Sequence, residues 1–266
     1  MNKFRVEGSI ALITGASAGI GREFARHLAG HASSLVLVAR RRERLEELRD
    51  ELARTNPNLN IHIQETDLSE ERNVMELCDW LDREKFAIDL LINNAGLGDV
   101  GPFATSKLDR VEEMLAVNVT ALTLLTRLLL PGMIARKRGA ILNVSSTAGF
   151  LPIAGFAVYA ATKAYVTSFS EAIRAELHGT GVTVTSLCPG PVYTEFTQVA
   201  ARPGAKRDRT PEFVHVSAEE VARTGLAAVE SNKPLVIPGF VMKVGMFLVR
   251  IMPLPLLRLF SRSSAR

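Results

Sequence analysis

Residues 9–21 read SIALITGASAGIG. After Ser9 the next five are apolar or β-branched and show no alternation of polar and apolar positions, the mark of a strand buried on both faces of a parallel sheet. Glycines follow at 15, 19 and 21, spaced G-x-x-x-G-x-G. Glycine tolerates positive φ and lets a ligand come close to the backbone. A helical pattern begins at this turn, and a helix N-terminus offers free N–H groups and a positive dipole end to an anion. A plain tight turn would also use glycines, and the spacing is not the usual G-x-G-x-x-G. The strand before and the helix after favour a turn that cradles a dinucleotide pyrophosphate.

The same unit repeats outward from this stretch. Strand candidates lie at 9–14, 34–39, 60–64, 89–93, 139–145, 183–188 and 234–238, and helical patterns such as 41–55 and 70–85 separate them. Strand and helix in alternation predict an α/β chain: one doubly wound parallel sheet of about seven strands with helices on both faces. The expected domain spans 1–238, with a lid at about 195–216 where Pro203, Gly204 and Pro211 interrupt any pattern, and 239–266 form an extension. The 266 residues, 47% hydrophobic, suffice for one large core.

Cys78 and Cys188 have no metal-ligand neighbours and read as reduced core thiols, and the five histidines form no HxxxH or HExxH pair, so no metal is expected. The first strand begins too early for a signal peptide, which points to the cytoplasm. Asn118 and Asn143 head N-x-S/T triplets but fall in core elements, so glycosylation is not expected. The net charge is +4, and residues 236–266 alone hold Lys243, Arg250, Arg258, Arg262 and Arg266 with no acid. The body is therefore not basic and carries no nucleic-acid-binding module.

The second strand ends at Ala39, where a dinucleotide site meets the adenosine ribose. An acid there suits NAD and an arginine suits NADP. Arg40, Arg41 and Arg42 follow, and the first acid is Glu43. Cations at a helix start oppose its dipole, so a solvated first turn explains them less well than a 2′-phosphate does. The reading is NADP(H), with Arg40 as main contact and Arg41 in support.

Three more segments complete a pattern: NNAG (93–96), NVSSTAG (143–149) and the pair Tyr159 and Lys163 in AVYAATKAYV (157–166). Alone, a Tyr and a Lys one helical turn apart are an ordinary snorkelling pair. Together with TGASAGIG, and with 13 residues from Ser146 to Tyr159, they resemble the short-chain dehydrogenase/reductase family over about residues 8–238. The resemblance implies a Rossmann-type fold and hydride transfer between a nicotinamide and a carbonyl or secondary alcohol. Tyr159 would be the acid/base group, and Lys163 would lower its pKa from the ordinary value near ~10 and hold the ribose. Ser146, rather than the adjacent Ser145, would hydrogen-bond the substrate oxygen, and Asn118 would hold a water of a proton relay to the lysine. Cofactor contacts are implied at Gly15, Ser17, Ala18, Gly19, Ile20, Gly21, Arg40, Arg41, Asp67, Leu68, Asn93, Asn94, Ala95 and Gly96. Tyr159, Lys163 and the turn with Pro189, Gly190, Val192 and Thr194 complete that set. Asp67 reads equally as a local cap. A homodimer or homotetramer is implied, built through the helices carrying Asn118 and Tyr159.

Two regions depart from a minimal member. In 239–262, Phe240, Val244, Phe247, Leu248 and Ile251 share one helix face, Lys243 and Arg250 lie seven apart, and Pro253 and Pro255 end the helix. A basic amphipathic helix lying in a membrane interface and a cover for the pocket or a partner subunit are both open. The lid carries Phe196, Val199 and Phe213, which with the tail point to an apolar substrate: a ketone, a 3-oxoacyl chain or a sterol-like ketone. Arg202, Lys206, Arg207 and Arg209 read as a solvated cluster or as a phosphate contact of a carrier. The expected function is an NADP(H)-dependent oxidoreductase; the alternative is a non-catalytic NADP(H)-binding, redox-sensing or membrane-associated module, against which the complete Asn-Ser-Tyr-Lys set argues.

Overall fold

The computed structural model describes residues 3–202, 212–253 and 255. In chain order the elements are β1 (Ile10–Thr14), α1 (Gly19–Leu28), β2 (Ser34–Ala39), α2 (Arg42–Thr55), β3 (Asn60–Glu65), α3 (Glu71–Arg83) and β4 (Leu90–Asn93). Next come α4 (Leu108–Leu115), α5 (Leu122–Ala135), β5 (Gly139–Val144), α6 (Ala157–Glu176) and β6 (Val182–Leu187). The chain continues through α7 (Glu195–Ala200), α8 (Ala218–Glu230), β7 (Leu235–Val236) and α9 (Phe240–Ile251).

The strands form one parallel sheet in the order β3-β2-β1-β4-β5-β6-β7. The missing polar alternation has its reason here. Ala11 and Ile13 of β1, with Leu35 and Leu37 of β2, face a core shared with Phe24, Leu28, Leu48 and Val221. Leu12, Val36 and Val38 face the opposite core with Val74, Leu81, Leu125 and Ile173. Both faces of these central strands are covered, so their positions are apolar in unbroken runs rather than in alternation. β7 is only two residues long because Pro234 and Pro238, which have no N–H to give the ladder, flank it.

The order reverses between β1 and β4, and the crevice at the carboxyl ends of the strands there is where open α/β sheets bind ligands. α4 and α5 form one long helix joined by a wider π turn at Ala116–Ala121. By length and composition Leu108–Ala135 could cross a membrane, but it packs on the sheet through Ala121, Leu125 and Met133. Cys78 and Cys188 are free and buried.

Candidate active site

The crevice is built on the turn after β1. Gly15 and Gly19 hold φ of 65° and 53°. A Cβ on Gly21 would collide with the Gly15 carbonyl and lie 2.6 Å from Asn94 Nδ2. α1 starts without a side-chain cap, because Ala18 offers no acceptor. Its first N–H groups lack the acceptor that usually satisfies them, and an anion completes that arrangement. Thr14 Oγ1 accepts the N–H groups of Asn94 and Ala95, each at 3.0 Å, and Asn94 Nδ2 donates to Thr14 O at 2.9 Å. The ends of β1 and β4 are thereby clamped together. Asn93 points the other way, donating to Asn143 and Thr126 in the core at 2.9 and 3.1 Å.

Arg40 and Arg41 precede α2, so neither is a solvated first turn; Arg42 opens the helix and pairs with Glu46. The two arginines part company. Arg41 reaches the glycine turn, its Nη2 3.3 Å from Ser17 Oγ, and pairs with Glu195 at the start of α7. Arg40 turns toward Glu113 at 2.7 Å and Asp67 at 3.8 Å. Asp67 makes the local bonds of the capping reading, its Oδ1 accepting from the backbone N–H and hydroxyl of Ser69, and its Oδ2 faces Arg40. Leu68 is buried behind it.

Ser145 and Ser146 end β5 and divide their work. Ser145 Oγ donates to the Lys163 carbonyl at 2.7 Å. Ser146 Oγ accepts the Ala148 N–H at 3.1 Å, lies 3.5 Å from the Pro189 carbonyl and is within hydrogen-bond reach of Tyr159. Tyr159 and Lys163 lie one turn apart on α6, both buried. Lys163 Nζ donates to the Val144 carbonyl at 2.8 Å and stands 5.8 Å from the centre of the Tyr159 ring. Burial lowers the lysine to about 8. Burial also drives the Tyr159 phenol up to about 12, against a smaller opposing pull from its hydrogen bond with Ser146. The Lys163 ammonium gives a hydrogen bond to the Val144 carbonyl and lies over the Tyr159 ring rather than at its hydroxyl, while burial of the phenol favours its neutral form. At neutral pH the phenol keeps its proton.

Asn118 sits in the π turn, a feature that sequence periodicity does not reveal and that recurs at functional sites. Its Nδ2 donates to Leu97 O at 2.9 Å and to Thr162 Oγ1 at 3.0 Å, while Oδ1 accepts the Leu97 N–H at 2.8 Å. A Cβ at Gly96 would lie 3.3 Å from Lys163 Nζ and 3.5 Å from Asn118 Oδ1, so both groups border the same point above Gly96.

The start of the expected lid, α7, packs against this centre. Phe196 lies tilted against the Tyr159 ring with centroids 5.4 Å apart, and Phe156 meets it edge-on at 5.3 Å. Arg202, expected as a solvated or phosphate-binding cation, instead grips Asp99 with two nitrogens and also reaches Ser106, Thr105 and the Pro102 carbonyl. Val100 N–H donates to Ala200 O at 2.9 Å, fastening the end of α7 to the loop after β4. Val199 points outward. Lys206, Arg207 and Arg209 lie outside the described residues, as does the Phe213 side chain. Thr194 caps α7 and packs on Gly19. A cavity of about 660 Å³ opens beside this turn, lined by Val192, Tyr193, Thr194, Thr197, Gln198, Glu212 and His215.

The sequence pattern of the family described as short chain dehydrogenase matches residues 9–203. The chain belongs to that family. The NADP-dependent 3-hydroxy acid dehydrogenase YdfG of Escherichia coli K12 is 41% identical over 192 residues, 71% of this chain and 75% of that protein. Among solved structures, a short-chain dehydrogenase from Sphingobium yanoikuyae in complex with NADPH superposes with a TM-score of 0.78 at 30% identity, covering 92% of this chain and 97% of that one. The bulky-bulky ketone specific alcohol dehydrogenase from Comamonas testosteroni gives a TM-score of 0.76 at 28% identity over 92% and 95%.

Sequence reasoning about this dehydrogenase missed the residues that hold the named ones in place. Thr14, Thr162 and the Val144 carbonyl are such supports. A buried Thr or a main-chain oxygen carries no signature of its own; only the apolar setting of Thr14 and Thr162 hints that each needs a partner.

Proposed function

We propose that the protein is an NADP(H)-dependent oxidoreductase that interconverts a carbonyl and a secondary alcohol on a neutral, largely apolar substrate. The carrying observation is the buried Tyr159 phenol set between Phe156 and Phe196, one helical turn from Lys163 and beside Ser146. The residues fit the cofactor. The uncapped start of α1 with Gly15, Ser17, Gly19 and Ile20 would take the pyrophosphate, and Arg41 with Ser17, backed by Arg40, the 2′-phosphate. Asp67 and Leu68 would meet the adenine, Ala95 and Gly96 the ribose, and the turn Pro189, Gly190, Val192 and Thr194 the carboxamide. Bound NADP(H) supplies or accepts the hydride.

The chain's own part is to hold the substrate oxygen and move a proton. Ser146 donates a hydrogen bond to that oxygen and Tyr159 delivers its proton to it in reduction, or takes it in oxidation. Lys163, with Asn118 behind it, marks the route by which the phenol is reprotonated.

No Lys or Arg is found among the described residues lining the cavity, and Glu212 is an acid there, which favours an uncharged substrate over an anionic one. The second reading, a 3-hydroxy acid, rests on the likeness to the Escherichia coli enzyme. NADPH consumption with matched pairs of apolar ketones and 3-oxo acids separates the two. Ketones should be reduced with at least ~10-fold higher kcat/KM, a difference of about 1.4 kcal/mol; preference for the acids would overturn the substrate class. The free buried thiols Cys78 and Cys188 fit a reducing, cytoplasmic compartment.

A further inference from the structure

We infer that α9 docks the protein on the surface of an anionic phospholipid bilayer. The helical period singled out Phe240, Val244, Phe247, Leu248 and Ile251 as one apolar stripe, and the fold leaves that stripe outside. Phe240 is 82% exposed, Phe247 64% and Ile251 65%, with Val241, Val244 and Leu248 exposed beside them. The helix is anchored by its other side: Met246 is buried and Met242 packs against Gly190. Six exposed apolar side chains on three turns form a continuous patch, which a monomeric soluble surface rarely shows.

Charge decides what covers it. Lys243 is exposed next to the stripe, Arg250 follows it by seven residues, and 236–266 contain no acid. Pairing with a second copy across a two-fold axis would bring this cationic segment against itself. An anionic lipid surface meets the same segment with opposite charge and takes apolar side chains into the headgroup boundary. Glu212, on the Glu212–Val214 turn packed against α9, is an acid at its margin and also lines the cavity.

Flotation of the full-length protein with vesicles tests this, and needs no turnover. Vesicles of phosphatidylcholine with about one-third phosphatidylglycerol should carry the protein upward, pure phosphatidylcholine much less, and high salt should reduce the bound fraction. Phe247→Glu with Ile251→Glu should cut the bound fraction about tenfold or more, with circular dichroism and melting temperature as folding controls. If that variant does not fold, the lipid and salt dependence of the unaltered protein still decides. Three outcomes would overturn the inference: no flotation with anionic vesicles, equal flotation of protein and folded variant, or an unbound protein whose oligomer the variant dissociates. Flotation that arises only after 256–266 are removed would assign the face to this chain's own end and overturn it as well.

Discussion

Tyr159 and Lys163 carry opposite effects of one cause. Burial holds the phenol protonated and makes the ammonium easier to lose, to about 8 from an ordinary 10.5. Below pH 8 the lysine is charged in folded and unfolded chains alike, and the full desolvation penalty is present. Between about 8 and 10.5 only the unfolded chain holds the proton, so this penalty fades and its drag on stability lessens as pH rises. The shift corresponds to about 3 kcal/mol. Lys163→Met leaves the Val144 carbonyl without its donor, a loss of about 1 kcal/mol. The variant is therefore expected to be inactive yet about 2 kcal/mol more stable at pH 7, with the gain shrinking toward pH 10; denaturant melts at several pH values check this. Reduction should likewise decline as pH passes about 8, while Tyr159 stays protonated throughout. Arg41 and Arg40 make a second residue-scale test. Arg41→Ala should weaken NADPH about 10- to 100-fold, the loss of one charged hydrogen bond to phosphate, and leave NADH nearly unchanged in calorimetric titration. The larger loss with Arg40→Ala would restore the original ranking.

At the scale of elements, the glycine turn and the strands were legible because each follows from local physics. Left-handed φ at Gly15 and Gly19 demands glycine, and strands covered on both faces demand unbroken apolar runs. Gly21→Ala is expected to abolish dinucleotide affinity, since the added methyl meets main chain rather than a yielding side chain; loss of any thermal shift with NADPH, in a protein that still melts cooperatively, checks it. What stayed hidden depends on partners distant in sequence. Nothing near Arg202 announces that its partner is Asp99, and nothing in AVNVTA announces a π turn. The tail stripe was seen, but its direction was not, because Met242 and Met246 read as apolar too and only the packing on Gly190 chooses between the two faces. The Arg202–Asp99 clasp holds the chain just after α7, so Asp99→Ala should speed proteolytic nicking within α7 and raise KM more than it lowers kcat.

For the whole molecule, the sheet's reversal between β1 and β4 gathers the ends of β1, β4, β5 and β6 around one crevice. This is why motifs spread from residue 15 to residue 194 form one site. Leu115, Leu128 and Tyr165 are exposed on α4, α5 and α6, and we propose that the homo-oligomer expected from the sequence is built on these faces. Leu115→Glu with Leu128→Glu should shift the sedimenting species toward monomer. The central claim is that this member of the short-chain dehydrogenase family uses Tyr159 as its proton donor in NADPH-dependent carbonyl reduction. The most direct test is single-turnover reduction of an apolar ketone by protein preloaded with NADPH, unaltered and with Tyr159→Phe. The account predicts a rate about 10²- to 10⁴-fold lower in the variant, the usual worth of a positioned general acid, at unchanged NADPH affinity. Equal rates would contradict it, and so would an unaltered protein that holds NADPH but turns over no carbonyl.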